Sequence, residues 1–114
     1  MIIRTWSLDS TTTVVDIHGS LSAESGAALA ESVSAAITPD RPNIVLNMAG
    51  VSRLDAAGVG QLAASIRAIR SAGGTPKVIV TDEDVRELLA RTHLIGLVEM
   101  LDAEATRALP FSDR

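Results

Sequence analysis

The sequence predicts an α/β domain, a mixed central sheet of about five strands with an N-terminal hairpin, packed against about four helices. Three observations carry this. β-Branched runs recur along the chain, at Thr12–His18, Asn43–Met48 and Lys77–Val80. Between them lie segments with apolar residues at helical spacing, bounded by Gly and Pro. The first two strands are joined by only a few turn residues. Strands alternating with helices imply parallel neighbours and right-handed crossovers, and the initial hairpin makes the sheet mixed. At 114 residues the chain is the size of one domain. Residues 1–110 are expected to form it, with 111–114 as a loose tail.

Ile3–Leu8 reads as the first strand and Asp9-Ser10-Thr11 as the turn. Thr12–His18, bounded by Gly19, reads as the second strand. Gly19-Ser20-Leu21-Ser22 reads as a loop entering a helix. Ser20 or Ser22 is its cap, and Glu24 suits the positive helix start. Leu29, Val33 and Ile37 recur every four residues as its apolar face, and Pro39 and Pro42 end it. Asn43–Met48 is almost continuously apolar, the pattern of a strand buried on both faces. Val59, Leu62, Ala63, Ile66 and Ile69 mark a second amphipathic helix, with Arg67 and Arg70 on its polar side and Gly73-Gly74 as its stop. Lys77–Val80 is a short buried strand. Asp82-Glu83-Asp84 opens a third helix with Val85, Leu88 and Leu89 inside. Gly96 ends the turn after it, Leu97–Leu101 is the last strand, and Asp102 caps a short helix from Ala103 to Leu109, stopped by Pro110.

Composition excludes several classes of function. Only Trp6 and Phe111 are aromatic, so the core is aliphatic and bases have no platform to stack on. The net charge is -4 with no basic run, which argues against a nucleic-acid partner. The absence of cysteine removes disulfides, thiolate metal sites and thiol nucleophiles. The start lacks the basic-then-apolar pattern of a secretory signal, and no uncharged apolar segment approaches the ~20 residues that cross a bilayer. A cytoplasmic protein with no direct membrane insertion is therefore expected.

Catalytic patterns are weak. Gly58-Val59-Gly60-Gln61-Leu62-Ala63 fits a dinucleotide-binding fingerprint, with Asp82 further on. A loop from Ala49 to Ala57 is expected between it and its strand, however, and the chain is too short for two mononucleotide halves. His18 and His93 lie on separate elements with no third ligand, so no metal is expected. Asp82, Glu83 and Asp84 suit a helix start better than a cation. No serine sits in a nucleophile elbow. Arg53 beside Asp55 reads equally as a phosphate anchor or a solvated pair. No enzyme activity and no cofactor are expected.

The most informative stretch is Leu46 to Gly60. It reads as a buried strand, a tight polar loop and the first turn of a helix. The loop closes on Asp55-Ala56-Ala57-Gly58, at a helix N-terminus where an anion or a partner can be held. Asp55 can cap the helix, and Gly58 permits close packing.

From the second strand to the last helix the chain resembles a STAS domain, the module shared by sulfate transporters and bacterial anti-sigma-factor antagonists. The landmarks are Val14-Val15-Asp16-Ile17-His18-Gly19, then Asn43 to Val51, then Leu54-Asp55-Ala56-Ala57-Gly58-Val59-Gly60. Gly73-Gly74 before a strand and Arg91-Thr92-His93-Leu94-Ile95-Gly96-Leu97 complete the set. The resemblance implies a non-enzymatic regulatory module that docks on a protein partner. In antagonists of this family the loop typically reads aspartate-serine-serine-glycine. The second serine is phosphorylated by the anti-sigma factor, a serine kinase of the histidine-kinase-like ATPase type. Phosphorylation breaks the complex, because it adds nearly two negative charges at an interface.

This chain departs from that pattern. Ala56 and Ala57 stand at the two serine positions, so the phosphoacceptor equivalent, Ala57, has no hydroxyl. The family's glycine-glutamate-leucine-aspartate loop is here Gly19-Ser20-Leu21-Ser22. The resemblance thus implies a partner surface of Ser20, Ser22, Asp55, Ala56, Ala57, Gly58 and Gly60, held permanently in the unphosphorylated state. Three partner classes stay open: an anti-sigma factor or related kinase-like regulator, a lipid or solute transporter subunit braced by the module, and a small anionic ligand. Ser52 is an alternative site of modification, and the sequence does not fix the oligomeric state.

Overall fold

The computed structural model describes residues 1–92 and 99–101, the last three by their backbone. The elements run β1 (Ile2–Ser7), β2 (Thr12–Leu21), α1 (Ala23–Ala36), β3 (Asn43–Leu54), α2 (Ala56–Ser71), β4 (Pro76–Ile79), α3 (Glu83–Ala90) and β5 (Glu99–Leu101). The five strands lie in sequence order, β1-β2-β3-β4-β5. β1 and β2 are antiparallel, and every later pair is parallel. This is the mixed sheet with an N-terminal hairpin that the sequence predicts. Gly96, Leu97, Val98, the helix from Ala103 to Leu109 and the tail fall outside the described residues, as does His93.

A sheet whose strands follow sequence order can carry all its crossover helices on one face. One face of the sheet presents Val15, Ile17, Ile44, Leu46, Met48, Val51, Val78 and Val80. Against it pack Leu29 and Val33 of α1, Leu62, Ala63, Ile66 and Ile69 of α2, and Val85 and Leu89 of α3. Aliphatic side chains build this core, as the scarcity of aromatics requires. The opposite face buries Val14, Val45 and Ile79, with Trp6 and Leu8 packed on them. Polar atoms on that face are paired. Asp16 bridges three strands, accepting from the Trp6 indole N–H at 2.9 Å and from Asn47 Nδ2 at 2.8 Å. In the β1–β2 turn the Thr11 backbone N–H donates to Asp9 at 2.9 Å, and that contact holds the Asp9 carboxyl below the usual carboxylate range.

Two boundaries differ from the sequence expectation. β2 does not end at His18 but continues through Leu21, and β3 does not end at Met48 but continues to Leu54. The expected Gly19–Ser22 and Ala49–Ala57 loops are therefore mostly strand. The two extensions pair with each other, His18 with Gly50, Gly19 with Val51, Ser20 with Arg53 and Leu21 with Leu54. Register shifts between Asp16 and His18 and between Gly19 and Ser20 break the regular alternation, which hides the strand from a period-of-two reading. Gly19 has φ +110, a conformation that needs no Cβ.

Candidate functional site

The extension of β2 and β3 brings the two sequence-predicted clusters to one end of the sheet. Ser20 and Ser22 lie at the end of β2, and Asp55 to Gly60 lie at the start of α2. Two backbone contacts fix their distance. The Asp55 N–H donates to the Leu21 carbonyl at 3.3 Å. Gly58 sits directly over the same carbonyl, where a Cβ would come within 2.2 Å of the Leu21 oxygen and 2.8 Å of its carbon. Only glycine allows the helix to start this close to the neighbouring strand. Gly58 is buried for this reason, whereas Gly60, two residues on, is exposed and has nothing within 4 Å of its Cβ position.

Side by side, the two helix starts are closed differently. At α1 the serines bond to one another. Ser22 N–H donates to Ser25 Oγ at 2.9 Å, and Ser25 Oγ donates to the Ser20 carbonyl at 2.8 Å. Ser22, not Ser20, is the cap, and Ser20 contributes its backbone oxygen. At α2 a single carboxylate caps the helix: Asp55 Oδ1 accepts from the Gly58 N–H at 2.7 Å. Such a bond satisfies one of the first-turn donors and places negative charge at the positive helix end. Beyond it the first turn is uncharged, and Ala56 and Ala57 are both exposed. The starts of the two helices are locked together by Gly26 of α1. A Cβ there would meet Gln61 of α2 at 2.3 Å, so the Gln61 side chain lies against bare backbone.

Beside this shoulder β3 and α3 enclose an open cleft of about 350 Å³, with Leu54, Val85 and Leu88 on its apolar wall and Arg53, Asp84 and Arg91 around it. Arg53 is exposed and makes no ion pair with Asp55 among the described residues. Leu21, Gln61 and this cleft are site features that sequence reasoning missed. Gly26 inside an apolar-faced helix was the available signal for the α1–α2 contact. The cleft joins residues far apart in the chain and left no local signal.

The structure also corrects the argument over the dinucleotide fingerprint. No loop separates the motif from its strand, because β3 runs to Leu54 and only Asp55 intervenes. What excludes the motif is its position. Both Gly58 and Gly60 lie inside α2 rather than in the turn, and Gly58 faces the Leu21 carbonyl instead of open space for a pyrophosphate. Asp82 is the cap of α3, accepting from the Val85 N–H at 3.1 Å. Among the described residues no three His, Asp or Glu side chains are grouped as metal ligands, and no helix is long and apolar enough to cross a membrane. His18 is exposed on β2 and lies over Gly50. The shoulder offers a helix start capped by Asp55, with two exposed alanines in its first turn.

Solved structures share this fold at low sequence identity. An anti-sigma factor antagonist from Mycobacterium paratuberculosis matches with a TM-score of 0.78 at 20% identity, over 96% of this chain and 94% of that one. The anti-sigma factor antagonist SpoIIAA in its unphosphorylated form matches with a TM-score of 0.71 at 19% identity, over 94% of both chains. The Bacillus cell fate determinant SpoIIAA in the phosphorylated form matches with a TM-score of 0.72 at 20% identity, over 94% of this chain and 96% of that one. No curated protein sequence matches the chain. The sequence model of the STAS domain matches residues 7–107, which take in both helix starts and the strands that fix them, and the chain belongs to the STAS domain family.

Proposed function

We propose that the chain is a regulatory docking module of the anti-sigma-factor-antagonist kind, which binds an anti-sigma factor through the first turn of α2 and the adjoining end of β2. One observation carries the reading. Ala56 and Ala57 stand exposed and uncharged just past the Asp55 cap, at the positions where family antagonists carry serines. A small side chain there leaves a flat surface, and the positive end of the helix attracts acidic groups of a partner. With no hydroxyl at Ala57 the surface cannot be switched off by phosphorylation at that position. The role is one of occupancy: the protein holds its partner whenever both are present. Ser20 and Ser22 replace the acids of the usual antagonist loop, and this shifts partner choice without altering the cap of α1.

The test is affinity capture from the native cell extract with the wild-type chain, followed by identification of the bound protein. A histidine-kinase-like anti-sigma factor is the expected catch, and incubation with it and ATP leaves the 55–58 segment without phosphate. Capture of a permease or transport ATPase would assign the module to a transport complex instead. Phosphate on Ser52 that releases the partner would overturn the permanently unphosphorylated state.

A further inference from the structure

We infer that β1 is a dimerisation edge, on which a second copy of this chain adds its own β1 antiparallel across a two-fold axis at Thr5. The inference is independent of the docking reading and concerns another border of the molecule.

β1 ends the sheet, and among the described residues no strand lies beyond it. The backbone phase of the strand can be read from its turn. Leu8 N–H donates to the Thr12 carbonyl at 2.9 Å, so Leu8 faces β2. The ladder is unbroken from Ile2–His18 to Ser7–Thr13, and hydrogen-bonded positions alternate in an antiparallel pair. Ile2, Arg4 and Trp6 therefore direct their backbone groups to β2, and Ile3, Thr5 and Ser7 direct theirs outward.

A row of outward N–H and C=O groups is a template for another strand, and proteins that must avoid pairing blunt it with Pro, Lys or a bulge. The segment Ile2-Ile3-Arg4-Thr5-Trp6-Ser7 has no Pro, no Lys and no bulge, and its one charged side chain is Arg4. The exposed large hydrophobic residues among those described are Met1, at 43%, and Ile2, at 62%, both at this edge.

Side-chain complementarity selects the copy as occupant and fixes the register. Outward positions must meet outward positions, which leaves a two-fold at Ile3, Arg4, Thr5, Trp6 or Ser7. A centre at Arg4 sets two arginines face to face, which is repulsive. Centres at Ile3, Trp6 or Ser7 pair a shorter stretch. The centre at Thr5 pairs Ile3 with the partner's Ser7 and Thr5 with the partner's Thr5 through backbone bonds. Between them Arg4 falls opposite the partner's Trp6 and Ile2 opposite the partner's Leu8. These are the closely approaching, non-hydrogen-bonded positions, where a guanidinium stacks on an indole and two aliphatic side chains meet. Each contact occurs twice. The product is a continuous ten-stranded sheet, since each copy contributes five strands, with a docking shoulder on each half.

The experiment is sedimentation equilibrium of the wild-type chain and of Thr5→Pro over a concentration series. The wild type is expected to show a concentration-dependent rise to twice the chain mass. Proline at Thr5 removes the two central bonds of the interface and none of the β1–β2 ladder, so the dimer dissociation constant should rise by about tenfold or more. The thermal transition by circular dichroism should persist. Because the chain has no cysteine, Thr5→Cys provides a second readout that leaves the strand intact. It should form an intermolecular disulfide in air much faster than Ser10→Cys in the exposed turn. A wild-type chain that stays monomeric to its solubility limit would overturn the inference. So would a dimer indifferent to Thr5→Pro, or equal cross-linking at the two cysteines.

Discussion

The starts of α1 and α2 lie next to each other and are built from the same parts, yet they are closed in opposite ways. α1 begins with serines that satisfy one another, and Ser25 Oγ both accepts from Ser22 N–H and donates to the Ser20 carbonyl. α2 begins with one carboxylate, on the Gly58 N–H, and then two exposed alanines. The first start uses up its polar groups internally. The second leaves the outer surface of its first turn plain and available. On the proposed docking reading, a partner lying on Ala56 and Ala57 meets exposed methyl groups, whereas one at the α1 start meets serines already bonded to one another. That contrast supports Ala56 and Ala57 as the centre of the proposed docking contact, with Ser20 and Ser22 beside it at the end of β2.

Substitutions can break this comparison. The largest effect is expected at Gly58. Gly58→Val drives a branched side chain into the Leu21 carbonyl and separates α2 from β2, costing about 1–3 kcal/mol or more in urea unfolding. Gly60→Ala is the matched control two residues away. It enters open space in a helix interior and should stabilise by roughly 0.5–1 kcal/mol. Loss of comparable stability at both positions would mean that the close approach to Leu21 does not matter.

Next comes the pair of caps. Asp55→Ala leaves the Gly58 N–H without its acceptor and removes the charge at the helix end, at a cost of about 1–2 kcal/mol. Ser25→Ala at the other start should cost about 0.5–1 kcal/mol, because the exposed end of α1 can recruit water for the groups it frees. Both are read by thermal or urea denaturation. A larger loss at Ser25 would reverse the assignment of which start depends on its cap.

A smaller gain is expected inside α2. Ser65 is 2% exposed, and its hydroxyl has no hydrogen-bond partner. Ser65→Ala removes an unsatisfied buried group and improves helix propensity, and should stabilise by about 0.5–1 kcal/mol. Ala57→Asp is the smallest in stability. A carboxylate in the first turn gains about 0.3–1 kcal/mol from the helix end, a rise in transition temperature that calorimetry can detect.

The sheet was legible in the sequence because its central strands are β-branched runs flanked by turn residues, and the pattern at Ile44–Met48 reads correctly as burial on both faces. The caps of α2 and α3 were legible because Asp55 and Asp82 stand three residues before the N–H groups they accept from. What local pattern could not show is the length of β2 and β3. Gly19, Ala49 and Gly50 have low strand propensity, and Ser52 and Arg53 are polar. They are held in strand by each other across the β2–β3 ladder, with His18 lying over Gly50. The bulges shift the alternation as well. The close packing expected at Gly58 is present, but its partner, the Leu21 carbonyl, is visible only when the end of β2 is placed beside α2.

The claim that the α2 start is a docking surface without its switch is tested most directly by the affinity of the captured anti-sigma factor for Ala57→Asp, compared with wild type by calorimetry. Negative charge introduced at the interface should weaken binding by about tenfold or more while the variant is at least as stable as the parent. Unchanged affinity in a folded Ala57→Asp protein would contradict the account and place the partner elsewhere on the molecule.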